Sequence, residues 1–454
     1  MRLSTRSLLK RLSEPVDIAW LVFFRIAFGA LMLWDAYHNL SKNMVLGQYV
    51  EPTFYFKYYG FDWVSPWPGN GMIWHFYAWA ALAVLMALGL WYRLSALLFF
   101  LAFTYVFLLD QSNYLNHNYL ICLVSFLMIF LPAHRNFSLD VLRKPRTRID
   151  TVPVWMLWLL QFQIGIVYFY GGIAKLNTDW LLHARPLELW LPKPFPVLSQ
   201  FMTHEQIAYL FSYGGFFLDL LIVPFLLWNR TRLFAFIASV LFHLANSQLF
   251  NIGVFPWFMI AATMLFFSPD WPRQVLKRFG WKSVRREGPP PAVQLNETPR
   301  LSLLTSGLLL LYASFQILFP LRHWLYPGNV NWTEEGHRFS WHMKLRGKEI
   351  RYAFAVVDPS TRQLWKINPR DYLTSRQAKK AGTRPDMILQ FAKHLAKEYE
   401  KKGHPGVKVH ASVFASLNGR KAQQMIDPEV DLAAQPRNLM PAPWILPLKE
   451  PLEP

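Results

Sequence analysis

The 454-residue sequence contains a single cysteine, Cys122, and few charged residues. One thiol cannot form an internal disulfide, so nothing in the fold depends on an oxidising compartment. Only 17% of the residues are charged while 53% are hydrophobic, and a soluble chain of this length would need more charged surface. Several apolar runs are almost free of charge and long enough to span a bilayer. The sequence therefore predicts a polytopic membrane protein.

Acidic residues are also scarce, since 28 Asp and Glu stand against 47 Lys and Arg and give a formal net charge of +19. A basic chain could bind nucleic acid, but these basic residues flank the apolar runs, which is typical of residues that orient a membrane protein. We therefore expect no nucleic-acid partner. No set of His, Asp and Glu has the spacing of metal ligands, so we also expect no metal site. The first apolar run begins near Asp17 without a small-residue cleavage site, which indicates a span rather than a signal peptide.

Nine apolar segments predict transmembrane helices, each close to the roughly 20 residues that a helix needs to cross a bilayer. With the N-terminus placed inside, the inside loops hold 19 Lys and Arg and the outside loops hold 4. This positive-inside bias predicts a cytoplasmic N-terminus, and an odd number of spans puts the C-terminus outside. The predicted spans are residues 17–37, 71–91, 94–110, 117–132, 153–175, 206–228, 232–249, 252–268 and 301–320.

The last third of the sequence has a different character. The segments FSWHMKL (339–345), IRYAFAVVD (350–358) and VKVHASVFASL (407–417) predict strands, and DMILQFAKHLAKEYEKKG (386–403) has helical spacing and a glycine stop. We therefore expect a polytopic α-helical membrane protein with about nine transmembrane helices and a small C-terminal extracytoplasmic α+β domain. The expected division is a helical catalytic domain over 1–320 and the outer domain over 321–454.

Three predicted spans bring polar side chains to the outer level of the membrane. Lys175 lies near the outer end of the fifth span, and Asn116 and His117 begin the fourth. His243 and Asn246 lie in the outer half of the seventh. Taken singly, His117 could be a histidine at a helix start capped by Asn116, and His243 could simply bind a neighbouring helix. Together they predict a site at the level where the outer domain meets the bundle.

Tyr168, Gly171 or Gly172, and Lys175 follow helical spacing and share one face of the fifth span. The glycines either leave a notch for a flat ring or let two helices pack closely. Lys175 either extends its amine to the membrane surface or acts as a general base. The second role needs an uncharged amine, so its pKa must fall from about 10.4 by roughly 3 units, which burial can achieve.

Two further features are open to structural interpretations. Arg25 and Asp219 are charges inside predicted spans, and we expect them to form a stabilising pair. The aromatic-rich segment 50–71 could be an interfacial belt or a lid over the site.

Five long motifs, in this order and spacing, resemble the vitamin K-dependent γ-glutamyl carboxylase family. The resemblance extends from FRIAFGALMLWD near the N-terminus to MIDPEVDL at 425–432. The motifs are YVFLLDQSNYLNHNYL, GGIAKLNTDW, FHLANSQLFNIGVF, FFSPDWPR and NVNWTEEGHRFSWHMKL.

The resemblance implies an enzyme that converts peptide glutamate to γ-carboxyglutamate and epoxidises vitamin K hydroquinone, either phylloquinol or menaquinol. O₂ and CO₂ are the co-substrates, and a Glu-containing peptide is the partner. The family's base falls on Lys175. The expected cofactor-binding residues are Asn116, His117, Tyr168, Gly171, Gly172, His243 and Asn246. His323 and Trp341 lie near the predicted junction with the outer domain and are expected to contact the peptide.

The sequence also departs from the animal members of this family. Ala174 stands where they carry a second lysine, Cys122 cannot make their disulfide, and they continue beyond the position of Pro454. We therefore expect a short, prokaryotic-type member in a bacterial inner membrane. Two other functions stay open: a quinol epoxidase without a peptide step, and a non-enzymatic membrane protein that binds lipid or quinone.

Overall fold

The computed structural model describes residues 10–250, 252–280 and 301–452. Within these residues, each predicted span coincides with a helix. The nine helices are α1 Ala19–Ser41, α2 Gly71–Leu88, α3 Tyr92–Leu109, α4 Asn116–Phe130, α5 Val154–Ala174, α6 His204–Leu227, α7 Arg232–Leu249, α8 Phe255–Thr263 and α9 Leu303–Leu318.

Six of these helices are long and apolar enough to cross a membrane, namely α1, α2, α3, α5, α6 and α9, the last continued by a 3₁₀ turn to Leu325. Helix α4 has 15 residues and is about 22 Å long, less than the roughly 30 Å of a bilayer core. Helix α8 is shorter still, and α7 carries several polar residues. The structure thus fits a polytopic helical membrane protein, and the count of nine spans stays a prediction.

Arg25 does not pair with Asp219, so the expected ion pair is wrong. Its guanidinium donates instead to carbonyl oxygens, at 3.2 Å to Ala87 and 2.6 Å to both Ala133 and Phe137. Ala87 belongs to the last turn of α2, and the other two carbonyls follow the end of α4. The Ala87 carbonyl at the helix C-terminus has no intrahelical partner, and the other two carbonyls lie in a loop, so the rigid five-donor guanidinium satisfies all three at once.

The C-terminal residues form an antiparallel sheet with two helices packed on it. The elements are β3 Lys348–Val357, β4 Leu364–Ile367, α10 Ser375–Ala381, α11 Pro385–Lys401, β5 Lys408–Leu417 and β6 Gln423–Gln424. The strands lie in the order β4-β3-β5-β6. The strands predicted over 350–358 and 407–417 and the helix over 386–403 are confirmed by β3, β5 and α11. Strand β5 alternates buried and more exposed residues, which places its apolar side chains against α11.

The strand predicted over residues 339–345 is wrong, because this segment forms turns. Phe339, Trp341 and Lys344 have φ angles of 62°, 59° and 56°, which are incompatible with an extended chain. The alternating apolar residues that suggested a strand instead contact different elements, and Trp341 packs on Tyr119 of α4 with ring centroids 5.1 Å apart.

The remaining elements are short and connect the larger ones. Strand β1 Pro15–Asp17 pairs with β2 Thr151–Pro153 in an antiparallel ribbon. The short helices are Met44–Tyr49, Leu139–Arg143, Thr178–Leu181, Leu187–Trp190, Trp271–Arg278 and Val330–Thr333.

The sheet region docks on the helices through the loop between α3 and α4. Gln377 donates to the Asp110 carboxylate at 2.8 Å, and Arg376 Nε donates to Asn113 Oδ1 at 2.9 Å. At the end of this loop Asn116 Nδ2 donates to a backbone carbonyl of the C-terminal region at 3.1 Å. The loop therefore orients the C-terminal region over the bundle.

A buried ion pair forms a second contact between the C-terminal region and the helical region. Arg420 binds Asp179 with two hydrogen bonds of 2.7 and 2.6 Å, and Asn418 donates to the same carboxylate at 2.8 Å. Burial alone would raise the pKa of Asp179, but the hydrogen bonds from Arg420 and Asn418 outweigh it and lower the pKa. The charged carboxylate therefore contributes to stability at neutral pH.

Asp179→Asn keeps the size of this side chain but leaves the Arg420 guanidinium buried without a carboxylate. We expect a loss of about 3–5 kcal/mol, measured as a lower thermal midpoint and faster proteolysis of the C-terminal region. Because the folded pKa is lowered, the contribution of Asp179 is lost as pH falls, so wild type and variant should converge only below about pH 4.

Asp62→Asn is the matched control for this prediction. It breaks the pair between Asp62 and Arg437, in which the Asp62 side chain is 64% exposed. An exposed pair is worth about 1 kcal/mol or less, so the midpoint should hardly move. Equal shifts for the two variants would contradict the docking role of Asp179.

Candidate active site

One cavity of about 1090 Å³ extends from the helix bundle to the C-terminal region. We call its part within the helices the inner chamber, lined by Tyr168, Lys175, Asp219, His117 and His243, among others. Residues that lay far apart in the sequence therefore meet around a single space. Its volume is just above the roughly 300–1,000 Å³ that is typical of small-molecule binding sites.

Lys175 lies in the wall of the inner chamber, directly after the last residue of α5. The residue is 5% exposed, and its amine donates to the Gly171 carbonyl at 3.0 Å and to Asp219 Oδ2 at 2.5 Å. The indole of Trp180 lies 5.4 Å from the amine. The amine is thus directed into the protein rather than to the membrane surface. It is also not the isolated amine expected from the sequence, because a carboxylate on α6 accompanies it.

The two glycines before Lys175 serve different contacts. A Cβ on Gly171 would lie 3.0 Å from Asp219 Oδ2, so the missing side chain makes room for the carboxylate. A Cβ on Gly172 would lie 3.1 and 3.2 Å from the backbone N and Cα of Leu220, so this glycine allows α5 and α6 to pack closely. Helix packing therefore accounts for Gly172, whereas Gly171 admits the partner of the lysine.

A second polar group of the chamber is built on Tyr168 and His243. The Tyr168 hydroxyl lies 2.7 Å from His243 Nε2 and 3.2 Å from Ser239 Oγ. His243 is 1% exposed, and its Nδ1 has no hydrogen-bond partner among the described residues. Since a buried polar atom without a partner is costly, this nitrogen is suited to binding a polar group of a ligand in the cavity.

The residues at the start of α4 differ in their availability. The Asn116 amide accepts from the Tyr114 hydroxyl at 2.8 Å and donates to the His342 carbonyl, so it holds the C-terminal region in place. The His117 ring stacks on Phe255 at 5.6 Å, and no hydrogen bond to its ring nitrogens is found within the described residues. Asn246 also lines the cavity. His117 is thus the freer of the two neighbours to contact a ligand.

The two expected peptide contacts lie outside the cavity lining. Trp341 is fully buried against α4, and His323 Nδ1 lies 2.8 Å from the Pro320 carbonyl. His342, which follows Trp341, does line the cavity, and its Nδ1 is buried without a hydrogen-bond partner in the described chain. The adjacent position in the motif could have suggested it.

Asp35 was also missed, although an acid inside an apolar run is itself a signal for function. It lines the cavity from α1, and none of the hydrogen bonds among the described residues involves its carboxylate. His38, three residues later, lines the same wall.

By contrast, no residue of segment 50–71 lines the cavity, and Trp63 in this segment is 76% exposed. The segment is therefore no lid over this cavity, and its Phe54 and Phe56 pack in the core of the C-terminal region; the interfacial belt stays a prediction.

The part of the cavity within the C-terminal region is strongly basic, and we call it the outer chamber. Glu334 is its one fully buried carboxylate among the described lining residues, and it accepts from Arg346 at 2.7 Å and from Lys348 at 3.0 Å. Burial would raise the pKa of Glu334, but Arg346, His337 and Lys348 together hold it well below its usual range. Seven basic and two acidic side chains line the chamber: Lys344, Arg346, Lys348, Arg376, Lys379, Lys380 and Arg384, with Glu334 and Glu349.

Gly171→Ala tests the space that holds the buried pair. The new methyl group would displace the Asp219 carboxylate, so we expect a thermal midpoint lower by the equivalent of about 1–3 kcal/mol. Gly214→Ala in α6 is the matched control, because a Cβ there meets nothing within 4 Å. The control should be neutral or stabilised by up to about 1 kcal/mol. A Gly171 variant as stable as the control would show that the pair tolerates the methyl group.

Comparison with known families agrees with this architecture. The family model of the HTTM domain matches residues 13–271, more than half of the chain. The model of the vitamin K-dependent gamma-carboxylase lumenal domain matches residues 302–451, which include the sheet and the outer chamber. No solved structure matches the chain. With these two matches in sequence, the chain belongs to the vitamin K-dependent gamma-carboxylase family.

Proposed function

We propose that this chain carboxylates peptide glutamate to γ-carboxyglutamate and couples this reaction to epoxidation of vitamin K hydroquinone by O₂. The observation that carries the proposal is the buried Lys175–Asp219 pair in the wall of a cavity that joins an apolar chamber to a basic one. Family membership supports the reaction type. Catalytic Lys175 would act at the inner end of the cavity, and the peptide would arrive from the outer end.

The inner chamber fits a quinol in its chemistry. Phe255 and Met259 give the chamber apolar surface, and His117 and His243 offer ring nitrogens without partners in the described chain. We propose that these nitrogens bind the oxygens of phylloquinol or menaquinol. When bound, the reduced quinone reacts with O₂ and supplies the base strength that removal of a glutamate γ-hydrogen requires.

The Lys175–Asp219 pair is suited to accept a proton from a hydroxyl of the quinol: the shared proton lies on the Asp219 carboxylate, and the uncharged Lys175 Nζ then takes the proton of the quinol. With one proton between amine and carboxylate, the pair has no net charge and can remain in an apolar bundle. A second proton gives the pair a charge of +1. The quinol that has lost this proton carries a charge of −1, so the site as a whole stays neutral. Asp219 thereby positions the amine through the 2.5 Å contact and shares its charge change.

The outer chamber is suited to an anionic peptide, because its lining carries seven basic and two acidic side chains. His342 lies in the wall of the same cavity and offers an unpartnered Nδ1 towards it. Burial lowers the pKa of His342 to about 3, so this imidazole is uncharged at neutral pH and suited to hydrogen bonding rather than ion pairing. We propose that it contacts the peptide where Trp341 and His323 do not.

Lys175→Arg is a sharper test of the base than Lys175→Ala. Arginine keeps a cation beside Asp219 but cannot lose a proton at neutral pH, whereas alanine would leave the carboxylate buried alone. With quinol, labelled bicarbonate, O₂ and a Glu-rich peptide, we expect both label incorporation and epoxide formation to fall by about 10²-fold or more.

The matched control is Lys193→Arg, which makes the same exchange in an ion pair with Glu188, where the lysine side chain is 60% exposed. This variant should retain both activities. Carboxylation that survives Lys175→Arg would remove the base assignment. Epoxide formation without label in the peptide, in the wild-type protein, would favour the epoxidase function.

We also propose nine spans in a bacterial inner membrane, with residues 1–320 as the membrane domain and 321–454 outside. The one native thiol, Cys122, is 7% exposed, so an added cysteine can report the side of the membrane with little background. A membrane-impermeant maleimide should label Lys421→Cys in spheroplasts but label Lys144→Cys only after lysis; both positions are exposed. The reverse pattern would overturn the orientation.

A further inference from the structure

Lys380 differs from the other lysines that line the cavity. Lys175 and Lys348 bind the carboxylates of Asp219 and Glu334, whereas Lys344 packs its amine over the ring of Phe250 at 4.3 Å. Lys380 lies near the end of α10, is half-buried, and has no hydrogen bond or ion pair from its amine to any described residue.

The surroundings of this amine are cationic. Arg376 precedes it by one helical turn, Arg384 follows it by four residues, and both line the same chamber. Burial, followed by the charges of Arg384 and Arg376, lowers the pKa of Lys380 to about 8, against a weaker opposite effect from Glu334. About a tenth of the amine is therefore uncharged at pH 7.

A plainer explanation exists for basic residues at this position. Lysines in the last turn of a helix stabilise the carbonyl end of the helix dipole. Lys379 fits that explanation, because it is exposed. Lys380 fits it less well, because burial beside two guanidinium groups disfavours a further positive charge.

We propose that Lys380 binds CO₂ reversibly as a carbamate and so concentrates CO₂ in the outer chamber for carboxylation. The use of the bound CO₂ rests on the proposed function, whereas its binding does not. In the proposed reaction CO₂ must enter this cavity. Among the described lysines that line the cavity and are at least half-buried, Lys380 is the one whose amine has neither a carboxylate nor an aromatic ring as partner.

The chemistry of binding is balanced and needs no oxidant or reductant. The lone pair of the uncharged Nζ attacks the carbon of CO₂ and forms an N–C bond, while one C=O π pair moves to oxygen. The nitrogen then loses a proton to water, and the carbamate carries one negative charge. An anion beside Arg376 and Arg384 is favoured by the same charges that disfavour the ammonium form. Release is the reverse reaction.

The direct test is carbamate trapping on the full chain, with no quinol or peptide present. Purified protein is equilibrated with ¹³C-labelled bicarbonate and CO₂ near pH 7.5, treated with triethyloxonium, and digested for mass spectrometry. We expect a ¹³C-labelled ethyl carbamate on Lys380, at least about tenfold above the level on Lys379, since an uncharged amine is needed. Lys379 thus serves as an internal control on the same helix.

The second arm tests whether the bound CO₂ is used. Lys380→Arg keeps the positive charge but removes the reactive amine, so at limiting CO₂ the number of CO₂ fixed per epoxide formed should fall by about threefold or more. A loss of folding would lower both products together and leave this ratio unchanged.

No adduct on Lys380 in the wild-type protein, or equal adducts on Lys379 and Lys380, would overturn the carbamate site. An unchanged ratio of CO₂ fixed to epoxide in Lys380→Arg would overturn its use in carboxylation. Failure of the proposed function itself would look different, because the chain would then fix no CO₂ into peptide whatever residue stands at position 380.

Discussion

Two opposite charges buried together inside a helical bundle constrain this structure more than any other contact. Lys175 and Asp219 are each 5% exposed, and an uncompensated charge at either position would cost several kcal/mol. The pair therefore requires α5 and α6 to lie at a fixed distance and rotation. Gly172 permits that distance by meeting the backbone at Leu220, and Gly171 leaves the volume that the Asp219 carboxylate occupies. Helix packing and the chemistry of the site are thus two results of one arrangement.

The ten residues GGIAKLNTDW connect this pair to the C-terminal region. Asn177 caps the short helix that follows α5 by accepting from the Trp180 backbone at 3.0 Å, and Asp179 then binds Arg420. The Trp180 indole donates to the Ser212 carbonyl of α6 at 2.9 Å. Lys175 and Asp179 are thus four residues apart, so one short segment carries both the amine of the inner chamber and a contact with the C-terminal region.

Hydropathy was sufficient to locate the helices, since long runs with almost no charge have few other stable conformations, and the alternation of β3 and β5 was equally readable. The partners of buried charges were not readable. Arg25 and Asp219 are both charges within spans, but which carbonyls or amines face them depends on helix rotation and on loop paths. The segment 339–345 was wrongly predicted to be a strand. Positive φ angles at Phe339, Trp341 and Lys344 turn the chain, but they do not disturb the alternation of apolar and polar residues in the sequence. His117 and His243 were expected near Lys175 because polar residues in spans are rare, and both line the same cavity; His342 also lines it but belongs to the C-terminal region, where a histidine attracts no attention.

The contrast between the two chambers gives a physical reason for joining an apolar helical bundle to a basic C-terminal region. Under the proposed function a strong base forms in the inner chamber, and such a base survives only where water is scarce, as it is among apolar helices. Anionic peptides and dissolved CO₂ must come from water, and a basic chamber raises the local concentration of anions. The inner chamber, however, could not hold a net charge of its own, so its acid–base group has to be a neutral pair. Under the proposed function, the pairing of Lys175 with Asp219 would allow proton transfer without leaving an isolated charge among the helices.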